Sequence, residues 1–143
     1  MSDAEAIVYL NGAFVPIRDA KISVLDRGFI FGDGVYEVIP VHRGRPFRLR
    51  QHLRRLDDSL AAIRLRNPHD DRQWQDILAR LAGATGGAEL LLYLQVTRGA
   101  GPRKHVPPPG LKPNVLAYVD AFDEVATYFD AWKSGTSVAL LPD

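Results

Sequence analysis

Short runs of alternating and apolar residues open the chain. Ile7-Val8-Tyr9-Leu10 and Ala13-Phe14-Val15-Pro16-Ile17 flank Asn11-Gly12. Asn-Gly supplies the positive φ angles of a two-residue turn, so this spacing predicts a β-hairpin. A second hairpin is predicted from Val35 to His42, through a turn at Arg43-Gly44-Arg45-Pro46, returning at Phe47. In its first strand Val35, Glu37, Ile39 and Val41 share one face, while Tyr36, Val38, Pro40 and His42 share the other, because strand side chains alternate. Neither face is purely polar, so the strand is expected to be covered on both sides. Pro40, with no N–H to donate, favours an edge or a bulge.

The period then changes. Leu49, Leu53, Leu56, Leu60 and Ile63 step by 4, 3, 4 and 3, the stripe of an amphipathic helix. A second helix is predicted from Asp71 to Ala82, with Trp74, Ile77, Leu78 and Leu81 on one side and Gly83-Ala84-Thr85-Gly86-Gly87 ending it. An apolar strand follows from Glu89 to Thr97, then a loop of sixteen residues rich in Gly and Pro from Arg98 to Pro113. Strands at Val115–Val119 and Ser137–Leu141 complete the pattern. Helices and strands do not alternate one for one, which predicts an α+β fold with a mainly antiparallel sheet and two packed helices.

Composition changes this picture little. A chain of 143 residues, 46% apolar and 24% charged, is one domain's worth of ordinary globular sequence. The net charge of +1 gives no electrostatic reason to expect nucleic acid or an acidic membrane as partner. Without cysteine there is no disulfide and no thiolate chemistry. No apolar run approaches the roughly 20 residues of a membrane helix, and the start has no signal-peptide character, so the cytoplasm is the expected location. The strand expected at Ser137–Leu141 is followed only by Pro142-Asp143, which suggests a sequence that continues in a longer protein.

Three segments carry candidate chemistry. Asp26 to Glu37 surrounds two phenylalanines with three glycines and two aspartates just before a strand. Its glycines fit a tight structural turn, whereas Tyr36 and Glu37 stand where a strand begins to face a cleft. His52 and Arg55 lie three apart on one helix face, where a guanidinium fork matches phosphate oxygens. Taken alone, the pair also fits a solvated basic face with Asp57 and Asp58 as ion-pair partners. The loop Thr97–Pro109 packs Arg98, Arg103, Lys104 and His105 between glycines and prolines, which suits holding a carboxylate as well as an exposed basic loop. There is no nucleotide phosphate loop, serine-nucleophile elbow or dinucleotide fingerprint, and the four histidines lack metal-site spacing, so no metal is expected.

Four anchors in order resemble the fold-type IV aminotransferases, which use pyridoxal phosphate. They are Asp26-Arg27-Gly28 with Phe31-Gly32-Asp33-Gly34-Val35-Tyr36-Glu37, His52-Leu53-Arg54-Arg55-Leu56, Gln95-Val96-Thr97-Arg98-Gly99, and Pro102-Arg103-Lys104-His105. The first two are common to the superfamily, and the last two resemble the D-amino-acid (D-alanine) aminotransferase group. The likeness runs from Tyr9 to Asp143. It implies that residues 1–143 are the N-terminal domain of such an enzyme, without the C-terminal domain that holds the cofactor lysine. Arg55 then corresponds to the clamp on the cofactor phosphate, and Tyr36 to the strand tyrosine on the substrate carboxylate. Arg103 and His105 correspond to a loop pair that traps that carboxylate in the neighbouring subunit's site, with Glu37 and His52 standing behind.

The resemblance further implies a homodimer that passes an amino group from a D-amino acid, D-alanine foremost, to a 2-oxo acid. Branched-chain amino acid transamination and the aminodeoxychorismate lyase reaction stay open, since those enzymes share the first anchors. The Schiff-base lysine is expected beyond Asp143, because Lys21, Lys104, Lys112 and Lys133 fall at no matching position. The chain by itself is therefore expected to be inactive. Two further readings are a non-catalytic binding or assembly domain descended from such an enzyme, and a half that pairs with a separately encoded C-terminal half.

Overall fold

The computed structural model describes residues 6–86 and 89–121, together with Gly135 and Ala139. Strands β1 (Ile7–Leu10) and β2 (Ala13–Pro16) form the first predicted hairpin, with Asn11 and Gly12 both at positive φ in its turn. A short helix α1 (Arg27–Phe31) precedes β3 (Gly34–His42). β3 turns through Arg43-Gly44, both at positive φ, into the two-residue β4 (Arg45–Pro46). Helices α2 (Leu49–Ala62) and α3 (Asp71–Thr85) follow, then β5 (Leu90–Thr97) and β6 (Asn114–Ala121). The six strands form one antiparallel sheet in the order β2-β1-β6-β5-β3-β4, and with its two packed helices this is the expected α+β class.

Both long helices pack on the same side of the sheet, α2 over β3 and α3 over β6 and β1. The leucine stripe is the reason: Leu53, Leu56 and Leu60 of α2 are buried with Trp74, Ile77, Leu78 and Leu81 of α3. They meet Ile39, Val41, Leu90, Leu92, Leu94 and Val96 from the sheet. Burying such side chains contributes about 1.5–3 kcal/mol each. α3 is fixed at its start by a capping box, in which Asp70 accepts from the Gln73 N–H while the Gln73 side chain accepts from the Asp70 N–H.

The structure corrects four details of the pattern. α3 does not stop before Gly83 but runs through it to Thr85, and Gly86, at φ 64°, takes the C-cap. The second hairpin turns at Arg43-Gly44 alone, because Arg45 and Pro46 already pair with His42 and Val41. Among the described residues β3 is covered on one face and not on both: Tyr36 is 62% exposed and Pro40 and His42 are exposed, while Glu37, Ile39 and Val41 are buried beneath the helices. The helix α1 was not anticipated. The expectation for Pro40 holds. The Phe47 N–H donates to Pro40 O, on the side away from β5, so the proline's missing donor lies on that outer edge and leaves the β5 ladder intact. The strand expected at Ser137–Leu141 lies, apart from Ala139, outside the described residues. Among the described residues no helix is long and apolar enough to cross a membrane.

Candidate functional site

The two neighbours Tyr36 and Glu37 point to opposite faces of β3, and the candidate residues divide there. On the helix side Glu37 is 2% exposed, and its carboxylate accepts from Arg55 Nε at 2.6 Å and Arg55 Nη2 at 2.6 Å. His52 Nδ1 lies 2.8 Å from the same carboxylate. Arg55 and His52 are one helical turn apart on α2, so both reach the start of β3 together. Burial pushes the Glu37 carboxyl up, but the hydrogen bonds and charges of Arg55 and His52 outweigh it and hold the carboxyl below its ordinary value. The Arg55 guanidinium is pushed up by the hydrogen bond and charge of Glu37.

This geometry replaces the expected ion-pair partners. Asp57 accepts instead from Asn67 Nδ2 at 2.5 Å. Glu37 takes Arg55 through Nε and one Nη2 hydrogen, which leaves Nη1 and the other Nη2 hydrogen directed elsewhere. The Arg55 side chain is 67% exposed, and it lines a recess of about 200 Å³ with Arg48, Gln51 and His52. A buried carboxylate thus orients a cation with donors to spare beside a small recess that a second arginine also lines, an arrangement suited to a phosphate group.

On the other face Tyr36, Tyr93 and Tyr118 form a row across β3, β5 and β6. Their rings stack at centroid distances of 5.7 Å and 4.8 Å. Burial raises the Tyr93 hydroxyl pKa, with the neighbouring tyrosines adding to it; burial and then the Asp120 charge raise that of Tyr118. No hydrogen bond joins Tyr36 to Arg55 or to the loop among the described residues.

Arg103 and His105 stand together on the loop between β5 and β6. The Phe31 ring centroid lies 5.7 Å from the Arg103 guanidinium carbon and 5.4 Å from the His105 ring. The base of the loop is set by Gly99, at φ 92°, where any Cβ would collide with the Lys112 carbonyl. A second carboxylate organises this end. Asp26 is buried and accepts from Gly28 N, Thr97 Oγ1 and Asn114 Nδ2, which joins α1, β5 and β6.

Reading the sequence missed a third cluster. Asp33 accepts from Arg27 Nε at 2.7 Å and from Arg98 Nε at 3.1 and 2.9 Å to its two oxygens. Burial pushes Asp33 up, but the hydrogen bonds and charges of Arg98 and Arg27 hold it below its ordinary value. Arg98 continues to Ile63 O at 2.6 Å, at the end of α2. The available signal was three charges amid glycines and aromatics at the two ends of paired strands. Among the described residues no group of three histidine, aspartate or glutamate side chains could hold a metal.

The family model described as amino-transferase class IV matches residues 34–140, a span that includes Tyr36, Glu37, His52, Arg55, Arg103 and His105. The chain belongs to the class IV aminotransferases. It is 32% identical to a D-alanine aminotransferase of Staphylococcus haemolyticus over 137 residues, 95% of this chain and 48% of that protein. It is 40% identical to a D-alanine aminotransferase of Bacillus licheniformis over 111 residues, 78% of this chain and 39% of that protein. The chain therefore spans about half the length, or less, of these class IV relatives. Its fold is that of the Escherichia coli branched-chain amino acid aminotransferase, with a TM-score of 0.78 at 21% identity, covering 82% of this chain and 41% of that one. The branched-chain aminotransferase of the archaeon Thermoproteus uzoniensis, solved with norvaline, matches at a TM-score of 0.71 and 27% identity, covering 81% of this chain and 40% of that one.

Proposed function

We propose that this chain is the N-terminal domain of a pyridoxal-phosphate-dependent transaminase and supplies the anion grips of its active site. The observation that carries the reading is the pair of bonds from Arg55 to buried Glu37, which leaves the rest of the guanidinium at the recess beside Arg48 and Gln51. Those residues fit the phosphate of pyridoxal phosphate in charge and donor type. When bound, that cofactor supplies the electron sink for moving an amino group, and a lysine beyond Asp143 would hold it.

In this reading Arg55 binds the phosphate and Glu37 orients Arg55. His52 bonds Glu37 through Nδ1 and so keeps that carboxylate ionised and in place. Tyr36, exposed on the opposite face, and the Arg103–His105 pair orient the substrate carboxylate. The same reading makes the protein a homodimer in which the Arg103–His105 loop serves the neighbouring copy's site, as the resemblance to fold-type IV aminotransferases implies. The relatives at 32–40% identity favour a D-amino acid, D-alanine first, as amino donor and a 2-oxo acid as acceptor. The likeness of fold to branched-chain aminotransferases supports the second reading, a branched-chain L-amino acid as donor.

A transamination assay of the full-length polypeptide, offered D-alanine or L-leucine with 2-oxoglutarate, tests this. Turnover of D-alanine supports the first reading and turnover of L-leucine alone the second. Failure of both donors in a preparation that retains pyridoxal phosphate would favour a non-catalytic binding domain.

A further inference from the structure

The loop that carries Arg103 and His105 makes few bonds of its own. Lys104 N–H donates to Pro102 O at 2.8 Å, a contact within the loop. Among the described residues the hydrogen bonds that tie Pro102–Leu111 to the rest of the protein come from a single side chain. Arg27 Nη1 donates to Lys104 O at 2.5 Å, and Arg27 Nη2 donates to His105 O at 3.0 Å. Arg27 is 3% exposed, and its own Nε is held by Asp33 at 2.7 Å. Its backbone N–H also donates to Gly99 O at 2.9 Å, at the base of the same loop.

We propose that Arg27 is the positioning residue of the Arg103–His105 loop and that, through Asp33 and Arg98, it ties that loop to the end of α2, the helix that carries Arg55. The pinning rests on these bonds alone; its consequence for substrate rests on the carboxylate role proposed above. The two carbonyls that Arg27 holds are successive and lie on either side of the His105 Cα, so they fix the backbone from which His105 projects, two residues past Arg103. Arginine suits the task because its planar fork addresses two successive carbonyls and a carboxylate at once, which an ammonium on a flexible stem cannot do. Phe31 closes the arrangement. Its centroid lies 4.7 Å from the Arg27 guanidinium carbon, and the same ring touches His105 and faces Arg103. Asp33 binds both arginines, and Arg98 ends on Ile63 O, so the loop and the carboxyl end of α2 share one frame.

Three readouts test the pin. In the wild-type 143-residue chain, NMR should show separate, slowly exchanging Nη protons for Arg27, because both Nη groups are bonded; freely rotating Nη groups would overturn the proposal. In Arg27→Lys, trypsin should cut after Arg103 or Lys104 about tenfold faster than in wild type, the scale of losing charge-assisted bonds. An unchanged rate in a folded variant would also overturn it. In the full-length enzyme Arg27→Lys should raise the KM for the amino acid about tenfold with kcat nearly unchanged, the pattern of lost uniform binding. A loosened loop with an unchanged KM would keep the pin and contradict the carboxylate role, so the two ideas fail separately.

Discussion

Glu37 and Arg55 are joined by two hydrogen bonds of 2.6 Å each, between a carboxylate buried under α2 and a guanidinium that is mostly exposed. The asymmetry of burial decides what each partner contributes. Removing the exposed cation leaves the buried carboxylate with His52 as its one remaining side-chain partner, whereas neutralising the carboxylate leaves a cation that water can solvate.

Arg55→Ala is accordingly expected to lower Tm more than Glu37→Gln does. The double variant should recover part of the loss from Arg55→Ala. Thermal unfolding of the three variants measures this. Equal and additive losses would mean that the pair is energetically uncoupled.

Acid should weaken the fold in two stages. Burial depresses the His69 pKa, with the Asp70 charge and a Gln73 hydrogen bond opposing it. His69 packs 2.9 Å from the Tyr9 hydroxyl and against the Trp74 ring, and its burial there makes the fold favour the neutral form. The unfolded chain then takes up that proton first, and stability falls as pH drops through and below the ordinary histidine value. Glu37 and Asp33 are held below their ordinary values, so their contribution is complete above the carboxylate range and is lost as pH falls through their folded values. Urea midpoints followed from neutral pH down through the carboxylate range should show both stages, and His69→Gln should remove the upper one. A midpoint flat across the histidine range in wild type would contradict the assignment.

Two glycines should respond with opposite signs. Gly99→Ala puts a Cβ into the Lys112 carbonyl at a positive φ and should cost at least about 2 kcal/mol. Gly83 lies inside α3 with open space where a Cβ would sit, so Gly83→Ala should stabilise by about 0.5–1 kcal/mol. Denaturant titrations of both variants check the pair.

The fold was legible where a period was uninterrupted. The leucine stripe located α2, and Asn11-Gly12 fixed the first hairpin, because one residue pattern in each case admits a single local geometry. The open face of β3 was not legible. Tyr36, Val38 and Pro40 look as coverable as Glu37, Ile39 and Val41, and only the placement of both helices on one side distinguishes them. Arg55 and His52 were found by their helical spacing, but their partner was misplaced. Asp57 and Asp58 are near in sequence, whereas Glu37 is brought in by packing across the strand–helix contact. Arg27, Asp33 and Arg98 escaped for the same reason: pairing of β3 with β5 sets Gly34 against Thr97, bringing both ends of the network together.

Retention of pyridoxal phosphate by the full-length polypeptide tests the proposed phosphate grip most directly, comparing wild type, Arg55→Ala and Arg54→Ala by cofactor absorbance during dialysis. Arg54 is an exposed neighbour on α2, so its replacement removes the same charge without touching the recess. Arg55→Ala should weaken retention about tenfold or more, with Arg54→Ala matching wild type. Equal retention by all three proteins would contradict the account.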